Sequence, residues 1–153
     1  MPTLKSGDPA PDVTFRTADR QEVSIASFNG KQSVVLAFYP RACTGGCERE
    51  LRKFQSLLSD FQQLGAQVLG ASTDAAPSQK AFADHLGLSF PLVADFPTFA
   101  AAKAFGVFDE ERVQNSRVTF VIDKQGIIRH VIQDVPNSEI HATESLEALK
   151  KLS

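Results

Sequence analysis

Two thiols, a hydroxyl and a carboxylate lie close together as Cys43, Thr44, Cys47 and Glu50, inside the stretch SVVLAFYPRACTGGCERELRKFQSLLSDFQQL from Ser33 to Leu64. A cysteine does chemistry as the thiolate, which is both the nucleophile and the metal ligand, so the first question is what would hold a sulfur in that form. The run Val34-Val35-Leu36-Ala37-Phe38-Tyr39 is short, β-branched and aromatic and is stopped by Pro40, which predicts a buried strand. Beyond a loop of turn formers, Leu51, Phe54, Leu58 and Phe61 recur at three- and four-residue spacing with polar residues between them, which predicts one long amphipathic helix ended by Gly65. Thr44 is its natural N-cap. Cys47 then falls in the first turn, where backbone N–H groups lack intrahelical partners and the helix dipole is positive, and both stabilise a thiolate over a thiol. Cys47 also shares a helical stripe with Leu51 and Phe54, as an ordinary buried cysteine would. The helix alone leaves both readings open.

The remaining elements must position that loop. Residues 1–12, with Pro2, Pro9 and Pro11, read as an extended lead-in, and Val13-Thr14-Phe15 and Glu22-Val23-Ser24 as a small hairpin. Ala66 to Ser72 is a second buried strand, Ser78 to Leu86 a helix closed by Gly87, Pro91 to Ala94 a short strand, and Thr98 to Phe105 a short helix ended by Gly106. Val118 to Ile122 and Ile127 to Val131 flank Asp123-Lys124-Gln125-Gly126 as a hairpin, and Thr143 to Leu152 closes the chain as a helix. A crossover through the long helix makes the first two buried strands parallel, and the later hairpin makes the sheet mixed. The expected fold class is therefore α/β: a thioredoxin-like mixed central sheet flanked by helices.

Composition excludes several roles. The 153 residues fit one domain, 1–153, large enough for a single core. A formal charge of −2, with no basic run, gives no pull on nucleic acid or anionic lipid. The N-terminus lacks the apolar core of a signal peptide and no stretch approaches a membrane span, which points to a cytoplasmic protein. Two cysteines in such a chain suit catalysis, redox sensing or metal binding better than a disulfide framework.

Pro40, Thr44 and Cys47 stand in the pattern Pro-x-x-x-Thr-x-x-Cys, within Phe-Tyr-Pro-Arg-Ala-Cys-Thr-Gly-Gly-Cys-Glu-Arg-Glu, and this closely resembles the active-site loop of the peroxiredoxins, the alkyl hydroperoxide reductase/thiol-specific antioxidant family. The resemblance extends to Gly7-Asp8-Pro9-Ala10-Pro11-Asp12, to Phe105-Gly106-Val107-Phe108-Asp109-Glu110 and to Arg117-Val118-Thr119-Phe120-Val121-Ile122-Asp123. It implies the thioredoxin-like fold with the 13–24 hairpin as an N-terminal addition, and a thiol peroxidase in which Cys47 attacks peroxide and becomes a sulfenic acid. By the same resemblance Thr44 places its hydroxyl near sulfur and peroxide, Pro40 screens the pocket from water, Arg117 is the catalytic arginine and Glu50 helps orient it. It implies no cofactor and no metal. The implied partners are a peroxide substrate, a thiol reductant (thioredoxin, a glutaredoxin-like protein or a low-molecular-weight thiol) and a second copy in a homodimer.

Within the family, Arg52 fills the position of the second cysteine of the Q type, and residues 132–153 carry no C-terminal cysteine. Phe90 to Phe96 with Gly106 to Asp109 look most like the one-cysteine E branch. Cys43 departs from that branch, which usually has an aromatic residue there, and leaves two routes open: Cys43 resolves the sulfenic acid, or an external thiol does. Two rival readings remain. Cys43-x-x-x-Cys47 after a strand resembles the thioredoxin-fold copper chaperones, but the matching stretch Gln114 to Arg117 holds no histidine. A disulfide reductase wants a spacing one residue shorter and leaves Thr44 and Arg117 unexplained.

Overall fold

The structure, a computed structural model, describes residues 2–17, 19, 21–42 and 45–152; Cys43, the candidate for one of the two routes, and the expected cap Thr44 lie outside the described residues. In chain order the strands and helices are β1 (Thr14–Arg16), β2 (Glu22–Ser24), β3 (Ser33–Phe38), α1 (Gly45–Ser56), α2 (Leu58–Gln63), β4 (Ala66–Ser72) and α3 (Ala76–Leu86). There follow β5 (Leu92–Ala94), α4 (Ala100–Phe105), β6 (Phe108–Asp109), β7 (Gln114–Asn115), β8 (Val118–Ile122), β9 (Ile128–Ile132) and α5 (Ile140–Leu152). Seven strands form one sheet in the order β2-β1-β5-β4-β3-β8-β9, and β6 pairs with β7.

β3 lies inside the sheet, between β4 and β8, because it is apolar on both faces, and alternation divides it between two cores. Val35, Ala37 and Tyr39 face the side covered by α1, α3 and α5, with Leu51, Phe54, Phe82 and Leu146. Val34, Leu36 and Phe38 face the other side, where Phe38, Phe105 and Phe120 meet at centroid distances of 4.8–6.0 Å. β3 runs parallel to β4 and antiparallel to β8, with Phe38 opposite Val118, and β8 and β9 form the expected antiparallel pair. The sheet is mixed, as the order of elements requires, and the arrangement is thioredoxin-like with β1 and β2 added at the β5 edge.

The long helix expected from Thr44 to Leu64 is two helices. Ser56 Oγ donates to Lys53 O at 2.7 Å, and the Leu57 N–H is divided between Lys53 O and Phe54 O at 3.2 Å each. A serine that bonds back to the preceding turn competes with the helical ladder and bends it, and the second piece still points Leu58 and Phe61 into the same core. α5 starts three residues before the expected Thr143, and α3 two residues before Ser78, with Pro77 in its first turn. α4 starts two residues after Thr98, where the buried Asp95 carboxylate accepts from the Ala101 and Ala102 N–H groups at 3.0 and 2.8 Å.

Gly70 sets how closely α1 approaches the sheet. A Cβ there would lie 2.6 Å from Leu92 Cδ2, 3.3 Å from Tyr39 Cε1 and 3.4 Å from Leu51 Cδ2. Tyr39 precedes Pro40, and Leu51 lies one turn below Cys47. Gly70→Ala is therefore expected to lower stability by about 1–3 kcal/mol through overpacking, read as a lower urea midpoint at unchanged slope.

Candidate active site

Register brings the site together. Val118 pairs with Phe38, so Arg117, one residue before β8, emerges at the end of the sheet where the chain leaves β3 for α1. Cys47, in the first turn of α1, is fully buried, with Leu51 and Phe54 below it in the same core. Arg117 Nη1 lies 3.4 Å from Cys47 Sγ and 2.8 Å from Glu50 Oε1, so one guanidinium nitrogen reaches both the sulfur and the carboxylate one helical turn further on. Gly46 leaves room for this approach, since a Cβ there would lie 3.0 Å from Arg117 Nη2. Pro40 is half-buried at the end of β3. Cys47, Arg117 and Glu50, separated by up to 70 residues in sequence, meet at one point.

Two further ties hold the first turn and the loop before it. Ser138 Oγ, just before α5, donates to Gly46 O at 2.9 Å. On the other side the Ala42 N–H donates to Asp74 Oδ2 at 2.7 Å, and Ser72 Oγ donates to the same oxygen at 2.7 Å. Tyr39, buried beside them, gives its hydroxyl proton to Gln79 Oε1, and Gln79 Nε2 donates to Val93 O. Sequence reasoning found none of Ser72, Asp74, Gln79 and Ser138. A short polar residue after a strand reads as turn chemistry, and only the fold shows what it holds.

Burial shapes the charges. It pushes the Glu50 carboxyl up to about 7, against the pull of the Arg117 hydrogen bond and charge. Burial weakens the hold of Arg117 on its proton, but Glu50 and then Cys47 more than restore it, so the guanidinium stays charged. Glu50 Oε2 is buried with no hydrogen-bond partner. His141, two residues before the expected helix start at Thr143, lies in α5, 1% exposed, with Nδ1 2.8 Å from Thr119 Oγ1. Burial first, and the nearby Arg117 charge second, push it down to about 4, so it is neutral at physiological pH.

A buried sulfur at a helix start, faced by a fixed guanidinium, stabilises an anion and opposes a cation. On a thioredoxin-like sheet this defines a thiol-based redox protein. Residues 6–131 match the AhpC/TSA family. The chain is 39% identical to alkyl hydroperoxide reductase E of Mycobacterium tuberculosis over 127 residues, covering 82% of this chain and 83% of that one. It is 33% identical to the chloroplastic peroxiredoxin Q of Triticum aestivum over 150 residues, 97% of this chain and 68% of that one. Among solved structures, the peroxidoxin BcpB of Mycobacterium tuberculosis superposes with a TM-score of 0.92 at 29% identity, over 98% of this chain and 99% of that one. This chain belongs to the AhpC/TSA family, the peroxiredoxins, and is a thiol-dependent peroxidase. The copper-chaperone reading has no support in these relatives, and the Arg117 charge beside Cys47 works against it. No helix among the described residues is long and apolar enough to cross a membrane.

The buried acid and base give opposite pH slopes. His141, depressed from 6.5 to about 4, costs stability as pH falls through that window, because the unfolded chain takes up a proton that the fold refuses. Glu50, raised from 4.5 to about 7, costs stability as pH rises through its window. His141→Asn keeps an acceptor for Thr119 but cannot titrate, and exposes the Glu50 slope. Relative to wild type the variant is expected to gain about 3 kcal/mol between pH 7 and pH 4 in urea titrations, whereas parallel curves would assign the histidine no part in acid sensitivity.

Proposed function

We propose that residues 1–153 act as one peroxiredoxin domain in which the Cys47 thiolate attacks a peroxide oxygen. The S–O bond forms as the O–O bond breaks, the leaving oxygen departs with a proton as water or alcohol, and Cys47 is left as a sulfenic acid. The observation that carries this reading is the single Arg117 nitrogen within reach of both Cys47 Sγ and Glu50 Oε1. A guanidinium locked by a buried carboxylate holds the thiolate and meets charge developing on the leaving oxygen without reorganising. Glu50 orients Arg117, Pro40 screens the pocket, and Thr44, by its place in the motif, directs its hydroxyl to sulfur and peroxide.

The substrates on this reading are hydrogen peroxide and organic hydroperoxides. Its support is the likeness to alkyl hydroperoxide reductase E and to the Xanthomonas campestris bacterioferritin comigratory protein, which has alkyl peroxide reduction activity. The cycle closes when a thiol displaces the sulfenic oxygen as water and a second thiol releases Cys47 from the disulfide. The first of these thiols is external (thioredoxin, a glutaredoxin-like protein or a low-molecular-weight thiol) or is Cys43, and the second is external. On this reading the setting is the cytoplasm, and the resemblance implies a homodimer.

Cys47→Ser is expected to fold and to consume no peroxide, since serine is no anion at neutral pH; stopped-flow traces at wild-type rate would overturn the assignment. Arg117→Ala is expected to slow sulfenate formation by ~10²–10³-fold, the cost of removing one preorganised donor. An unchanged rate would make Arg117 a structural residue only. Mass spectrometry after one equivalent of peroxide decides between the two routes. If Cys43 resolves, wild type loses two hydrogens and resists dimedone while Cys43→Ser is trapped; equal trapping of both assigns the second step to an external thiol.

A further inference from the structure

Cys47 and Glu50, one turn apart on α1, are both cut off from solvent, and both lean on one nitrogen: Arg117 Nη1 lies 3.4 Å from Cys47 Sγ and 2.8 Å from Glu50 Oε1. Among the described residues Arg117 is the only cation bonded to either group. With the sulfur and the carboxyl both ionised, two buried anions would share that cation, and each would raise the cost of ionising the other. Glu50 Oε2 is buried and has no partner among the described residues. Such a bare oxygen is costly as half of a carboxylate and less so as the hydroxyl of a neutral acid, whose Oε1 still accepts from Arg117. The other titratable groups around the pair do not relieve it. Tyr39, after β3, keeps its phenol proton and bonds Gln79 of α3, and Asp74, past β4, adds a negative charge on that side. His141 of α5 is neutral, and α2 presents only Leu58 and Phe61 to this core. On α1 itself Glu48 is paired with Arg52, and the exposed Arg49 lies against Gly45.

We propose that Cys47 and Glu50 hold one ionisable proton between them: while Cys47 is a thiolate Glu50 is the neutral acid, and it yields that proton when peroxide takes the charge off the sulfur. The two groups then titrate as a coupled pair, not as separate sites. Burial, against the pull of Arg117, already lifts the Glu50 carboxyl to about 7, so a neighbouring thiolate has little more to do to keep it protonated at neutral pH. In the peroxide step the S–O bond forms as the O–O bond breaks, the sulfur is oxidised and the leaving oxygen reduced, and the negative charge passes from sulfur to that oxygen. The Glu50 proton balances it: thiolate, carboxylic acid and hydroperoxide become sulfenic acid, carboxylate and water or alcohol, with no net proton drawn from solvent. The carboxylate left behind has Arg117 to itself, so the guanidinium faces one anion before the step and one after it. Glu50 thereby adds a proton store to its part in orienting Arg117. The supply of the proton rests on the reading of Cys47 as the peroxide-reactive thiol, while the sharing of it is a property of the reduced protein.

The test follows the Glu50 side-chain carboxyl carbon by NMR in reduced full-length protein labelled with isotopic glutamate, its signal being the one lost in Glu50→Gln or Glu50→Asp. In pH titrations Glu50 of wild type is expected to ionise about one pH unit or more above Glu50 of Cys47→Ser, which has no sulfur anion to compete for Arg117. Equal midpoints overturn the sharing, and a carboxyl that only positions Arg117 would give them. A second arm adds one equivalent of peroxide to wild type at a pH between the two midpoints, with oxidation of Cys47 followed by mass spectrometry on the same sample. The Glu50 signal is expected to move from the acid to the carboxylate position as Cys47 is oxidised, and to stay in place in Cys47→Ser. A signal that remains at the acid position while Cys47 is oxidised overturns the supply, and is the result if the product stays a sulfenate anion. A wild type in which peroxide leaves Cys47 unoxidised would sink the peroxidatic assignment and the supply with it, and the titration arm would still decide whether the two groups share a proton.

Discussion

The guanidinium of Arg117 is fixed on one side by a carboxylate that has no contact with solvent, and on the other it faces the sulfur at the start of α1. An arginine free in solvent would meet a thiolate only part of the time and would lose rotamer freedom on doing so. Here that ordering is complete before substrate arrives, because the Glu50 that binds Arg117 is itself immobilised one helical turn from Cys47. The rest of the fold supplies the conditions for this contact. β8 must pair with β3 in a register that brings Arg117 to the right end of the sheet, α1 must lie close over Gly70, and Gly46 must leave space for the guanidinium.

Burying charge is costly, and the structure answers the cost locally. Glu50 has one oxygen satisfied by Arg117 and one without a partner, so its ionised form is held by a single strong contact. His141 sits behind the same arginine on α5, bonded to Thr119, and remains neutral instead of adding a second buried cation. Arg117 is therefore not joined by a charged imidazole on its α5 side. The segments around it contribute through single polar side chains: Ser138 from just before α5, and Ser72 and Asp74 from the end of β4 and just past it.

Some of this was legible in the chain. The apolar run of β3, the 3.6-residue stripe of Leu51, Phe54, Leu58 and Phe61, and the Gly87 and Gly106 stops are local signals, and elements formed where they predict, except that the stripe's one expected helix is divided at Leu57. The parallel β3–β4 pair and the mixed sheet also followed, since a helix-length crossover leaves little choice of hand or direction. Helix boundaries were less legible. α4 is capped by Asp95 through a loop that includes the left-handed Phe99, and the break at Leu57 depends on the rotamer of Ser56.

By itself, the sequence determined the class of sheet, the placement of Cys47 in a helical first turn, and, through its likeness to a family, the pairing of that cysteine with Arg117 and Glu50. These rest on periodicity, on turn residues and on a motif, all of which are read along the chain. Only the tertiary structure decided that one nitrogen of Arg117 spans Cys47 and Glu50, that His141 is buried and neutral behind it, and that Asp74 grips the loop through Ala42. Each of these is a contact between residues 22 or more positions apart, set by strand register and by which polar atoms are cut off from water. Neither register nor desolvation leaves a local pattern, because both arise only when distant segments close against one another.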